Sequence, residues 1–174
     1  MRELMDASAD VFSELKNLCV WTKSNGGMGS LYRSQHELVF VFKKGHSPHR
    51  NNVELGRNGR NRTNVWAFAG VNSFKADRDQ ELALHPTVKP TALVEEALKD
   101  VSKRGDIVID PFGGSGTTLI AAERCGRRAR LIELDPLYCD VIIRRYEAYS
   151  GKQATRSDGV SFQMAEEQTL ELCA

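Results

Sequence analysis

The stretch DIVIDPFGGSGTTLIAAERCG, residues 106–126, indicates the fold class of this chain. It starts with an apolar run over residues 106–110, which is typical of a buried β-strand. A glycine-rich turn follows at residues 111–116, and residues 117–125 then predict a helix that Gly126 ends. A strand, a tight turn and a helix in this order predict one unit of a parallel α/β sheet.

The segments on either side continue this alternation. Pro90 opens a predicted helix that runs to about Lys103, and Gly105 follows as its C-terminal stop. Residues 130–134 predict a second buried strand, and residues 136–150 predict a further helix. The order α-β-α-β-α predicts an α/β fold with a doubly wound, mostly parallel sheet.

The first half of the chain is less regular. Residues 8–17 have an amphipathic helical pattern with Ser8 as its N-cap, and residues 18–22 form a short β-type run. Residues 37–43 (ELVFVFK) predict a strand that is buried on both faces. The predicted organisation is an N-terminal helix with strands (1–43), a basic aperiodic segment (44–80), an α/β half (81–151) and a frayed tail (152–174).

Composition excludes several classes of protein. The 174 residues are 41% hydrophobic and 27% charged, which is typical of a globular domain and not of a disordered chain. No apolar run approaches the roughly 20 residues that cross a bilayer, and the N-terminus lacks the apolar stretch of a signal peptide. The four cysteines show neither CxxC nor zinc-site spacing. We therefore expect a cytoplasmic protein with reduced, packed thiols and no membrane partner.

The net charge of +1 hides an asymmetry along the chain. Residues 1–80 carry 12 Lys or Arg and 8 Asp or Glu, whereas residues 81–174 carry 12 and 15. The basic excess is concentrated between Lys43 and Thr63, where Glu54 is the one acidic residue. A basic segment of this kind predicts a nucleic-acid contact, and its alternative is a solvated loop.

The glycine-rich turn predicts a ligand of particular chemistry. Glycines let the backbone approach a ligand closely, and a helix N-terminus offers unpaired N–H groups. Glu133 ends the next predicted strand, where a carboxylate can hold ribose hydroxyls. The spacing is not GxGxxG, and no lysine follows the last glycine as in a P-loop. Because Asp110 would repel a pyrophosphate and attract a cation, the turn predicts an adenosine-type ligand with positive charge.

Three motifs carry a family resemblance. Residues 110–118 resemble the cofactor motif of S-adenosylmethionine-dependent DNA amino-methyltransferases, which modify adenine N6 or cytosine N4 in restriction–modification systems. Residues 85–90 (HPTVKP) and 131–138 (LIELDPLY) resemble two further motifs of that family, in the order of its permuted (beta) class. Residues 21–43 resemble the region between its catalytic loop and its recognition segment.

The resemblance implies a Rossmann-like class I methyltransferase fold, incomplete on its N-terminal side, with S-adenosylmethionine as cofactor. The residues implied to line the cofactor are Asp110, Phe112, Gly113, Gly114 and Gly116, with Glu133 on the ribose. Those implied near the methionine end are Thr87, Lys89, Ser115, Thr117 and Thr118, where Lys89 or a hydroxyl meets the carboxylate.

The basic segment occupies the family's target-recognition position, which makes double-stranded DNA the expected partner. Arginine and lysine pair with phosphates, and arginine also reads base edges. The residues expected to contact DNA are Arg33, Lys43, Lys44, Arg50, Arg57, Arg60 and Arg62. Trp66 and Phe68 are interpreted as a hydrophobic anchor for this segment and not as a platform for a base.

The family's catalytic loop has the form Asp/Asn/Ser-Pro-Pro-aromatic, and it holds a flipped base. None of the five prolines here is adjacent to another, so no catalytic residue is assigned. In the permuted order the loop would precede residue 1, and we expect the chain alone to transfer little or no methyl group. Two alternatives stay open: a non-catalytic subunit that binds S-adenosylmethionine or DNA beside a partner chain supplying this loop, and an unrelated nucleotide-binding Rossmann-like protein.

Overall fold

The computed structural model describes residues 1–70 and 88–172, with side chains up to residue 168. The described helices are α1 (Arg2–Ala9), α2 (Thr91–Val101), α3 (Thr117–Cys125), α4 (Pro136–Ser150) and α5 (Phe162–Leu172). The described strands are β1 (Glu14–Thr22), β2 (His36–Lys43), β3 (Val65–Ala67), β4 (Ile107–Asp110) and β5 (Arg128–Leu131). A short 3-10 turn at Glu54–Gly56 lies within the basic segment.

The described strands form two sheets. The first has the order β2-β1-β3, in which β1 is antiparallel to β2 and parallel to β3. The second is the parallel pair β4-β5, in which Ile107 lies opposite Arg128 and Asp110 opposite Leu131. Two of the three strand pairs are therefore parallel, in agreement with the mostly parallel sheet that the sequence predicts.

The hydrophobic core lies between the first sheet and α2. Cys19 and Trp21 of β1, Trp66 of β3 and Leu93 of α2 form one buried cluster. Each indole N–H is satisfied, because Trp21 Nε1 donates to the Phe68 carbonyl at 2.9 Å and Trp66 Nε1 to the Thr63 carbonyl at 3.1 Å. Helix α2 also packs on α3, so it joins the first sheet to the unit that carries the glycine-rich turn.

The predicted helix at residues 8–17 is wrong, because α1 ends at Ala9 and β1 begins at Glu14. Ser8 lies inside α1 and is not its N-cap. A β-bulge between Leu15 and Asn17 shifts the register of β1 against β2. The extra residue breaks the two-residue alternation of the strand and leaves apolar residues at helix-like spacing, which explains the error.

Three further expectations need correction. The strand predicted at residues 130–134 is β5, which ends at Leu131, so Glu133 lies in the loop that follows. Strand β2 is half-buried and not buried on both faces, because one of its faces carries only the ring stack of Phe42 with Phe12 and Phe40. The tail is not frayed but forms α5, which Arg144 of α4 holds through an ion pair with Glu166.

The remaining helix boundaries agree with the sequence. Helix α3 ends at Gly126 and α4 at Gly151, both in the left-handed conformation that glycine adopts without strain. The N-terminus of α4 is capped by Asp135, whose side chain accepts a hydrogen bond from the Leu137 N–H at 2.9 Å. In the part of the chain that the structure describes, every helix is too short or too polar to cross a membrane.

Candidate cofactor site and basic surface

Asp110 is held at the carboxyl end of β4 by two short hydrogen bonds. Its Oδ1 accepts from the Phe112 N–H at 3.0 Å, and its Oδ2 accepts from Thr118 Oγ1 at 2.6 Å. These bonds connect the end of the strand to the glycine-rich turn and to the first turn of α3. The carboxylate is therefore fixed beside the N-terminus of α3, where ligands of open α/β sheets bind.

A cavity of about 190 Å³ opens at this point. Its lining brings together the predicted cofactor residues except Thr87, Gly116 and Glu133, and it adds Val94 of α2. Thr87 lies outside the described residues. The predicted residues that line the cavity are Lys89, Asp110, Phe112, Gly113, Gly114, Ser115, Thr117 and Thr118.

Glu133 reaches the glycine-rich turn although it lies beyond the end of β5. Its Oε2 accepts a hydrogen bond from the Gly114 N–H at 2.7 Å. Its Oε1 accepts from the N–H groups of Leu134 at 2.9 Å and Asp135 at 3.1 Å. The carboxylate thus connects the loop after β5 to the turn after β4, next to the cavity.

Helix α4 supports the turn from behind through Ile142, a contact that sequence reasoning missed. Its side chain would lie 3.0 Å from a Cβ added to either Gly113 or Gly116. Gly116 also has a φ of +76°, which favours glycine. Close packing against α4 is therefore a second reason for these glycines, beside the approach of a ligand that the sequence indicates.

Lys89 lies between the cavity and the first sheet. Its Nζ is 3.4 Å from Oε2 of Glu37, and Lys23 Nζ is 2.6 Å from Oε1 of the same carboxylate. Both ammonium groups also lie over the ring of Trp21, at 5.9 Å and 5.0 Å from its centroid. Burial raises the pKa of Glu37, but the two lysines outweigh burial and hold this pKa below its ordinary value.

Arg60 and Arg62 of the basic segment pair with α2. Arg60 Nη2 lies 2.6 Å from Oδ1 of Asp100, and Arg62 Nε lies 2.7 Å from Oδ2 of the same side chain. Their side chains are 23% and 18% exposed, and that of Asp100 is 11% exposed. Burial lowers the pKa of Arg60, but its bonds to Asp100 and Glu96 outweigh burial and leave this pKa raised. Both arginines therefore anchor the segment to the protein.

Two more contacts fix this segment in place. Asn52 Nδ2 donates to the carbonyls of Lys99 and Ser102 at 2.8 Å each, which caps the C-terminus of α2. The guanidinium of Arg62 lies 5.3 Å from the ring centroid of Trp66, and Trp66 belongs to the core cluster. The interpretation of Trp66 as a hydrophobic anchor is confirmed.

The other predicted DNA residues are more accessible. Lys44, Arg50 and Arg57 are exposed, and the side chain of Arg57 is 82% exposed although it lies 3.5 Å from Glu54. Lys43 is half-buried at the end of β2. Arg33 is exposed and donates to the carbonyls of Gly26 and Gly27 at 2.9 and 3.3 Å.

The comparisons with known proteins agree with this geometry. The sequence profile of the N6_N4_Mtase family, described as DNA methylase, matches residues 1–144. "Type II methyltransferase M.ScaI" of Streptomyces caespitosus is 38% identical over 90 residues, which cover 52% of this chain and 30% of that protein. "Type II methyltransferase M2.DpnII" of Streptococcus pneumoniae is 36% identical over 90 residues, with 52% and 32% covered. The chain thus matches about a third of the length of these curated relatives.

Solved structures share the fold. The cytosine-N4-specific PvuII DNA methyltransferase superposes with a TM-score of 0.67 at 22% identity, covering 83% of this chain and 55% of that chain. A DNA modification methylase of Thermus thermophilus, solved in complex with S-adenosyl-L-methionine, gives 0.59 at 25% identity, covering 84% and 58%. The fold is that of the class I methyltransferases, and the chain belongs to the N6_N4 DNA methylase family.

Proposed function

We propose that this chain is the cofactor-binding and DNA-binding part of a methyltransferase that moves a methyl group from S-adenosylmethionine to adenine N6 or cytosine N4 in DNA. The observation that carries the proposal is one cavity with Asp110 and Lys89 in its lining and Glu133 bonded to its rim. One ligand that needs all three has a cationic centre, a carboxylate and a ribose diol.

Each group of S-adenosylmethionine meets its chemical complement in this site. The sulfonium is favoured beside the Asp110 carboxylate, and the ligand carboxylate beside the Lys89 ammonium. Glu133 offers carboxylate oxygens to the ribose hydroxyls. Phe112 is 85% exposed and offers the adenine a flat apolar surface beside the cavity. The cavity is smaller than the usual 300–1,000 Å³ of small-molecule sites, so it suits one end of the cofactor.

The DNA surface in this proposal consists of the exposed basic residues. Lys44, Arg50 and Arg57 contact phosphates, with Arg33 and Lys43 at the border of this surface. Arg60 and Arg62 hold the segment against Asp100 and do not reach the phosphates.

A partner chain that supplies the Pro-Pro loop is the second candidate, and β4 favours it. The carbonyls of Asp106 and Asp110 bond to β5, so the backbone groups of Ile107 and Ile109 point to the opposite edge. No described strand pairs with that edge, and these isoleucines are 55% and 70% exposed. Parallel sheets are normally covered on both faces. A further strand beside β4 would bring a loop at its end close to Asp110.

Isothermal titration calorimetry tests the cofactor. S-adenosylmethionine should bind the purified chain, and NAD should not. Asp110→Asn should weaken the binding about tenfold or more, because a neutral amide does not attract the sulfonium. Asp106→Asn, at the other end of the same strand region, is the matched control and should bind as the unaltered chain does. Binding of NAD in preference to S-adenosylmethionine would contradict the proposal.

Methyl transfer is measured separately. Tritium from labelled S-adenosylmethionine should not enter DNA when the chain is present alone, because the Pro-Pro loop that orients the target amine is absent from its sequence. Transfer well above background by the chain alone would contradict the inactive part of the proposal and leave its cofactor part standing.

A further inference from the structure

Arg145 of α4 lies behind the cofactor cavity, and neither the sequence motifs nor the proposed chemistry assigns it a role. Its Nη1 donates to the Ser115 carbonyl at 2.9 Å, to Ser115 Oγ at 3.2 Å and to Thr117 Oγ1 at 3.3 Å. Ser115 and Thr117 are only 5% and 7% exposed. We infer that Arg145 is a positioning residue that, through these two hydroxyls, holds Lys89 at the cavity.

The direction of each hydrogen bond follows from the donors available. A guanidinium only donates, so Ser115 Oγ and Thr117 Oγ1 both accept from Arg145. The Lys89 carbonyl only accepts, so the bond of 3.3 Å between it and Thr117 uses the single hydroxyl proton of Thr117. The contact of 3.2 Å between the two hydroxyls must then use the proton of Ser115. The chain of donation runs from Arg145 through Ser115 and Thr117 to the backbone of Lys89.

This directed chain limits which groups can meet the ligand in the proposed cofactor site, on which the inference rests. The hydroxyl protons of Ser115 and Thr117 are both engaged within the protein, and that of Thr118 is engaged by Asp110. None of the three hydroxyls has a proton left for the ligand carboxylate. Among the described residues that line the cavity, Lys89 then supplies the charged donor, and Arg145 determines where its backbone lies.

The face of α4 that carries Arg145 is the face on which the turn is built. Ile142 lies one helical turn earlier on α4 and packs against Gly113 and Gly116. The neighbouring Arg144 points to the surface instead, where it pairs with Glu166 and lies 3.6 Å from Asp140. Arg144→Gln is therefore a matched control, because it changes the same residue type on the same helix without touching the turn.

Two ligands separate positioning from general destabilisation. S-adenosylmethionine has the carboxylate that Lys89 would meet, and 5′-methylthioadenosine has the same nucleoside without it. Arg145→Gln should weaken S-adenosylmethionine about tenfold or more while changing 5′-methylthioadenosine less than about threefold. Arg145→Lys should recover part of the loss because it retains a donor, and Arg144→Gln should change neither affinity. Equal losses for both ligands, or no loss for either, would overturn the inference.

Amide hydrogen exchange of the ligand-free chain gives an independent readout. Residues 115–118 and Lys89 should exchange about tenfold faster in Arg145→Gln than in Arg144→Gln, while the amides of β1 stay unchanged. If the unaltered chain binds neither ligand, the proposed cofactor fails, and exchange alone then decides the positioning role. Equal exchange at these residues in the two variants would overturn it.

Discussion

Arg62 donates from Nε to Oδ2 of Asp100 at 2.7 Å, so a residue of the basic segment is bound to the protein's own helix. Asp100 receives Arg60 on its other oxygen, at 2.6 Å from Nη2. The carboxylate therefore joins a segment without regular structure to α2, which also packs on the core and on α3. Positive charge along this segment has two uses, and only contacts distant in sequence separate them.

Asp100→Asn should lower the free energy of unfolding by about 1–3 kcal/mol. The change leaves two half-buried guanidinium groups with a neutral partner in place of a carboxylate, and partial exposure limits the loss. Urea unfolding followed by circular dichroism measures the change. Asp158→Asn, on the surface beside Arg156, is the control and should have little effect. An unaltered midpoint for Asp100→Asn would argue against the anchoring role.

Replacing Lys44, Arg50 and Arg57 together by Ala should weaken binding to a mixed-sequence DNA duplex and flatten its salt dependence. Three lost phosphate contacts correspond to a change of about 3 in the slope of log affinity against log salt, at ~0.9 per contact. Fluorescence anisotropy at several salt concentrations measures this slope. Because these side chains are exposed, the stability of the variant should not change. A slope equal to that of the unaltered chain would remove these residues from the DNA surface.

Gly113→Ala should cost about 1–3 kcal/mol of stability, because the added Cβ would lie 3.0 Å from Cδ1 of Ile142. Ile142→Val removes that methyl group and should relieve most of the added cost when the two changes are combined. A double-mutant cycle of unfolding free energies measures this coupling. Additive effects of the two substitutions would show that the turn and α4 do not interact in this way.

Glu133→Gln should weaken S-adenosylmethionine about tenfold or more, since the side chain loses the charge that favours its bonds with N–H and hydroxyl donors. The amide also places a donor beside the N–H groups of Gly114, Leu134 or Asp135. Calorimetry measures the affinity. Glu123→Gln, which affects a surface pair with Lys152 on α3, is the control and should bind normally.

The ion pairs of Glu37 predict a pH dependence of stability. Burial raises its pKa, and Lys23 and Lys89 lower it further than burial raises it, so the folded pKa lies below the ordinary value of 4.5. A depressed carboxylate pKa stabilises the fold above the unfolded pKa, and this contribution is lost as the pH falls through the folded value. The difference in unfolding free energy between the unaltered chain and Glu37→Gln should be constant near pH 7 and shrink below about pH 4.5. A difference that does not change with pH would contradict this role.

Local signals in the sequence predict the cofactor half well. The strand before the turn, the helices that follow it and their glycine ends all depend on residues close together in the chain, such as Gly126 and Gly151. The N-terminal part is predicted less well, because β1 owes its structure to pairing with β2 and carries a bulge at Leu15–Asn17 that hides the alternation. Strand formation depends on neighbours distant in sequence, whereas a helix bonds to itself.

Patterns of adjacent residues are enough to establish the type of fold, the glycine-rich turn, the acidic residues beside it and the basic segment. How these residues are used depends on contacts that form only when the chain is folded. Folding places Arg60 and Arg62 against Asp100, joins Glu133 to Gly114 across two loops, and brings Arg145 of α4 to Ser115 and Thr117. Such contacts join residues 19 to 40 positions apart, and the packing of α2 and α4 on the turn and the first sheet selects them.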